Sequence, residues 1–202
     1  MDRKKSMLAE TMILFLFALS KTSEEVNINT YKRYIYLYYL TSGFINNNSD
    51  DIEIIVEKGD IKIIEFESII SDFVLKEYIE TEKNSIIIKK KLLDFVDALL
   101  RNKDGALIRR YKEIQPFVSL IQSYNDQFVF TVFFSEPTFR EAPLRGVSEI
   151  HSANSKLAVL LKQFKSKVCD TRIDEYDILA YWMDYILRNY YNIGADGDAV
   201  EE

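Results

Sequence analysis

Apolar residues recur at three- and four-residue spacing along most of the chain, a period that predicts a mainly helical fold. The first helix spans Met7 to Ser20, where Met12 to Leu19 is continuously apolar and therefore buried. Arg3, Lys4 and Lys5 precede it, an order that imitates a signal peptide. Glu10 and Thr11 adjoin the run, no small-residue cleavage site follows, and the run is too short to span a bilayer. After the polar break Ser23-Glu24-Glu25, a second helix is predicted over Tyr31 to Thr41, with Asn29 or Thr30 as its cap and Gly43 as its stop. Tyr31, Tyr34, Ile35, Tyr38 and Tyr39 share one face of it. That face reads as core with hydroxyls at the rim, and an aromatic platform for bases is the sharper alternative.

The period then shortens. Ile52 to Val56 and Ile61 to Ile64 read as two strands about the turn Lys58-Gly59-Asp60. Tyr78 to Thr81 and Ser85 to Ile88 form a second hairpin about Lys83-Asn84. Helices are predicted between and after the hairpins, over Glu65 to Glu77 and Lys89 to Leu100. Helices followed by a small hairpin are the ground plan of winged-helix domains, which serve DNA binding and protein docking alike.

Beyond Gly105 a helix over Ala106 to Ser123 is expected to break or restart at Pro116. Phe128 to Phe134 is wholly β-branched or aromatic and reads as a buried strand. It ends at Ser135-Glu136-Pro137, and Pro143 and Gly146 follow. A rigid, aromatic-tipped loop of this kind suits a docking surface formed by Phe134, Glu136, Pro137, Phe139 and Arg140. The plainer alternative is a core strand with an ordinary proline turn. A helix over Ser148 to Ser166 would turn Ile150, Leu157, Leu160, Leu161 and Phe164 inward. Asp174 would cap a last helix, Glu175 to Tyr191, with Trp182 in the core. The fold class is thus α+β and mostly helical. Residues 1–104 form a winged-helix-like region, residues 105–193 a strand plus helices, and residues 194–202 a disordered acidic tail.

At 202 residues the chain has length for one large domain or two small lobes. A formal net charge of −6 argues against coating nucleic acid by charge alone. The basic run Lys89, Lys90, Lys91, Arg109 and Arg110 stands beside the second hairpin and is the candidate nucleic-acid contact. Its plainer reading is a solvated helix face. One cysteine, Cys169, and one histidine, His151, leave no internal disulfide and no zinc-ligand set. They form a nucleophile pair only in the formal sense. The acidic loop Asn46 to Asp51 lacks the glycine and closing glutamate of a calcium loop. No phosphate loop, dinucleotide fingerprint, nucleophile elbow or HExxH is present. The expectation is a cytoplasmic protein without catalytic residues, metal or cofactor, and without a membrane partner.

Three stretches carry a resemblance: ILFLFAL with TYKRYIYLYYL, FVLKEYIETEKNSIIIKKKLLDF, and FVFTVFFSEPTFREA. Together they resemble the middle component of bacterial ABC-three component systems, the group that includes the Lamassu antiphage systems. The resemblance implies a non-catalytic subunit that bridges an ATPase of the structural-maintenance-of-chromosomes (SMC) kind and an effector nuclease, with double-stranded DNA as a further contact. The alternative reading is a stand-alone winged-helix DNA-binding transcriptional regulator. An enzyme of unrecognised type, using Cys169, His151 or scattered carboxylates, is a third.

Overall fold

The computed structural model describes residues 3–46, 52–57, 60–102, 105–141, 148–152, 155–168 and 172–196. Two helices that are apolar on every side form the centre, as full burial requires. In α1 (Arg3–Leu19) every residue from Thr11 to Leu19 is buried. In α2 (Ile28–Ile45) burial is continuous from Tyr34 to Ser42. The tyrosine face belongs to this core. Tyr31 donates its hydroxyl to the Met12 carbonyl at 2.7 Å, and Tyr39 donates to Thr11 Oγ1 at 3.1 Å. Phe15 meets Tyr38 edge-on at 5.3 Å between ring centroids. A buried phenol needs such a partner, because an unsatisfied hydroxyl is costly in the interior.

Helix α2 starts earlier and ends later than its pattern predicts. Asn27 is the cap, its Oδ1 accepting the Asn29 and Thr30 backbone N–H groups at 2.9 and 3.3 Å. Gly43 lies inside the helix, which runs on to Ile45. The polar break holds a short strand, β1 (Glu25–Asn27).

Both hairpins form. β2 (Glu53–Glu57) pairs with β3 (Asp60–Ile63), burying Ile54, Val56, Ile61 and Ile63 on one face. β4 (Ile79–Glu82) pairs with β5 (Ser85–Ile88) across the turn Lys83-Asn84. Helices α3 (Phe66–Leu75) and α4 (Lys90–Arg101) flank the second hairpin. Two three-stranded antiparallel sheets result. One has the order β1-β5-β4. The other has the order β3-β2-β6, where β6 (Ser148–His151) pairs with β2 from about a hundred residues downstream.

The second half departs from its pattern in four places. α5 (Gly105–Gln122) passes through Pro116 without a break. The predicted strand over Phe128 to Phe134 is a helix, α6 (Asp126–Ser135), that buries Val129, Val132 and Phe133. Strand propensity reports fit to a half-buried surface more than a backbone preference, and here a cap decides. Asn125 Oδ1 accepts the Phe128 N–H at 2.9 Å, and Asp126 places an acid in the first turn. Pro137 opens a short helix, α7 (Pro137–Glu141), instead of an extended loop. Last, the start of the expected helix over Ser148 to Ser166 is strand β6, and α8 (Lys156–Lys165) begins only after Ser155. α9 (Glu175–Asp196) closes the chain. α8 packs on α2, and α9 on α6 and α8, so the C-terminal helices cover one flank of the central pair. Among the described residues no helix is long and apolar enough to cross a membrane. Cys169, Pro143, Gly146, the loop 47–51 and the tail beyond 196 lie outside the described residues.

Candidate protein-docking groove

Helix α8 is apolar on two faces. Leu157, Ala158 and Leu161 are buried, whereas Val159, Leu160 and Phe164 are 54, 39 and 45% exposed. The inward assignment of Leu160 and Phe164 is therefore corrected. Their spacing is helical, but it marks a second stripe that no described part of this chain covers. Helix α9 behaves likewise. Ile178, Leu179, Trp182 and Met183 are buried, while Tyr181 and Tyr185 are 53 and 63% exposed. Between these faces and α7 runs a groove of about 390 Å³. Pro137 and Arg140 line it from α7, Leu160 and Phe164 from α8, and Tyr181, Trp182 and Tyr185 from α9.

The α6–α7 junction sets the edge of this groove. Glu136 has extended backbone geometry, as a residue before proline prefers. Pro137 takes the first helical position, where its missing N–H costs nothing. Glu136 is fully buried. Its Oε2 accepts the Tyr36 hydroxyl at 3.0 Å and the Phe139 N–H at 2.8 Å. Burial first, and the neighbouring carboxylate second, push the Tyr36 phenol well above its usual range. Phe139 packs on Phe133 and Phe134 at 4.6 and 5.0 Å and is itself buried. Phe134 is partly exposed and lies 4.3 Å from Phe130, on which the Arg33 guanidinium stacks at 4.1 Å.

The five residues expected to form one docking loop thus divide. Pro137 and Arg140 line the groove. Glu136 and Phe139 are interior residues that hold the turn, so the loop expected there is a packed helical corner. Phe134 belongs to the aromatic cluster beside it. The aromatic walls on α8 and α9 were missed because an apolar stripe looks the same in sequence whether a core or a partner covers it. The signal that was available is excess: α9 carries more large aromatics than one buried face accommodates.

The basic run is not gathered into a single open surface. Lys89 pairs with Glu80, and Lys91 pairs with Glu77 at 2.7 Å. Arg110 turns back to α1, where it meets Glu10 at 3.3 Å and also donates to the Met7 carbonyl and Thr11 Oγ1. Lys90 and Arg109 are exposed. Three of the five cations therefore already face acceptors of their own chain. His151 is exposed on β6. Among the described residues no cluster of three metal-ligating side chains occurs. No family model matches the chain, and neither a curated protein nor a solved structure shows a significant match to it.

Proposed function

We propose that this chain is a non-catalytic, cytoplasmic adaptor that holds a partner protein in the α7–α8–α9 groove. One observation carries the reading. Of the ten large hydrophobic side chains exposed among the described residues, five lie on α8 and α9: Val159, Leu160, Phe164, Tyr181 and Tyr185. An apolar patch of this kind, rich in tyrosine and bordered by arginine, has the composition of a binding hot spot. The resemblance to the middle component of ABC-three component systems supplies the partners: an SMC-like ATPase and an effector nuclease in antiphage defence.

The connectivity supports a winged-helix-like scaffold for the N-terminal half. Helix α1, strand β1, helices α2 and α3 and the hairpin β4–β5 follow in order, with the hairpin β2–β3 inserted between α2 and α3, and β5 lies between β1 and β4. The same connectivity favours the second reading, a stand-alone DNA-binding regulator. Charge argues the other way. α3 occupies the position of a recognition helix, yet it bears Glu67 and Asp72 and exposes Val74 and Leu75. With those acids paired to Lys32 and Lys5, the face offers phosphates no excess of cations and its apolar end suits protein contact.

The test is co-purification of the tagged chain with the products of its neighbouring genes. A large coiled-coil ATPase is expected to co-elute with the native chain and to be lost from a Tyr181→Ala/Tyr185→Ala variant of unchanged circular dichroism. Both side chains are more than half exposed, so their truncation leaves the core intact. An ATPase retained by that variant sinks the groove reading. The regulator reading predicts salt-dependent duplex binding that drops when Lys89, Lys90 and Lys91 become Glu. Duplex binding that is absent, or unaltered by that change, removes the basic run as its site.

A further inference from the structure

The groove restricts what can occupy it, and we infer that its occupant is an acid-flanked amphipathic helix of the partner protein, an inference that rests on the adaptor reading. Every lining residue belongs to a helix: Ser135 to α6, Pro137 and Arg140 to α7, and the rest to α8 and α9. Helix interiors leave no free backbone N–H or C=O for a neighbour, and Pro137 has no N–H at all. An extended peptide draws affinity from main-chain bonds to a sheet edge, and no strand borders this groove. The occupant must therefore satisfy its own backbone, which a helix does.

The dimensions agree. α8 is ten residues long, about 15 Å at the helical rise. A facing helix of about three turns would set apolar residues at i, i+3 or i+4, and i+7 against this wall.

Charge selects the flanks. Arg140 lies in the lining. Arg188 follows Tyr185 by three residues, and Tyr185 follows Tyr181 by four, so all three share one stripe of α9. Lys167 follows Phe164 in the turn that closes α8, its N–H bonded to the Phe164 carbonyl. Among the described residues these three cations make no ion pair. Nearby carboxylates are already engaged. Asp184 accepts the Tyr124 hydroxyl at 2.7 Å, Glu141 pairs with Lys156, and Glu175 pairs with Lys165. Asp177, one turn ahead of Tyr181, accepts the Asp174 N–H at the start of α9. A chain of net charge −6 thus borders this apolar groove with unpaired cations, which complements acidic flanks on an incoming helix.

The experiment is a selection on the intact chain. A displayed library of helical peptides of about 20 residues, roughly the length of an ordinary interface helix, carries Leu, Ile, Met or Phe anchors at helical spacing. Flanking positions are Asp/Glu or Lys/Arg in equal proportion. The library is selected on the native chain and on the Tyr181→Ala/Tyr185→Ala variant, which removes the groove-dependent sequences. Selected peptides free of tryptophan are then titrated by the emission of Trp182, the chain's only tryptophan and part of the groove lining. Acid-flanked helices are expected to dominate the groove-dependent set. They should bind an Arg140→Glu/Arg188→Glu variant at least about tenfold more weakly, and less tightly at high salt. Groove-dependent peptides with no charge bias, or basic ones, overturn the inference. So does a groove that selects no helix while the Tyr181→Ala/Tyr185→Ala change still costs the chain its ATPase partner. In that last case the adaptor reading survives, whereas a native chain with which no ATPase co-elutes removes the adaptor reading itself. A native chain that dimerises through Tyr181 and Tyr185 in light scattering also overturns the inference, with a second copy as the occupant.

Discussion

Between about pH 10 and 11 the folded chain is expected to lose at least about 3 kcal/mol of stability. Three phenols contribute most, and Tyr34, Tyr124 and Tyr176, which burial also raises, add to them. Tyr31, Tyr36 and Tyr38 are buried, and burial is the first cause that raises each of them above the ordinary tyrosine value. Tyr39 adds to the effect at Tyr31 and Tyr38, and Glu136 adds to it at Tyr36. Each of these phenols keeps its proton in the folded state at a pH where it has lost it in the unfolded state. Their contribution is complete below the unfolded value of about 10 and falls as pH rises through it, by about 1.4 kcal/mol per unit for each phenol. Against a typical total of about 5–15 kcal/mol, the chain should unfold cooperatively a little above pH 11. Urea midpoints taken at half-unit steps from pH 8.5 measure the slope. Tyr36→Phe should lower it by about 1 kcal/mol per pH unit. A midpoint that stays level through pH 11 would mean that the three phenols ionise without unfolding and are not sealed from water.

Glu136→Ala is expected to destabilise the chain by about 3 kcal/mol. The carboxylate is fully buried, and its removal strands two donors, the Tyr36 hydroxyl and the Phe139 N–H. Small voids in close-packed interiors add to that cost. Glu136→Gln keeps an acceptor of the same size and should lose only about 1 kcal/mol. The consequence for the groove is direct, because Pro137 and Arg140 stand on the helix that Glu136 caps. Glu136→Gln should bind partner more weakly than the native chain, even where it is fully folded. Chemical denaturation of both variants separates the effects. Equal losses for Ala and Gln would show that solvent reaches the carboxylate and that the corner is not built on it.

These two expectations rest on residues of unequal legibility. The tyrosine face of α2 was readable as core from its spacing, since helical periodicity and the scarcity of interleaved basic residues weigh against a platform for bases. The role of Glu136 was not readable. A glutamate before a proline resembles any solvated turn, and only the arrival of Tyr36 from a hundred residues upstream makes it an interior group.

Local patterns determined the helices of the first hundred residues and both hairpins, because periodicity, turn residues and hairpin closure act over a few positions. Phe128 to Phe134 shows where local pattern fails. Its composition favours a strand, but the Asn125 cap and the burial of Val129, Val132 and Phe133 at helical spacing make it α6. Ser148 to His151 shows the reverse, a stretch drawn out of a helical pattern because β2 offered an open edge. The sequence alone established a mostly helical α+β chain with an apolar centre and a corner at Pro137. The tertiary structure decided which apolar stripes meet another stripe and which stay bare. Burial depends on distant partners that no local spacing encodes, and that is why Leu160 and Phe164 read as core in the sequence yet stand, with Tyr181 and Tyr185, along an open groove in the fold.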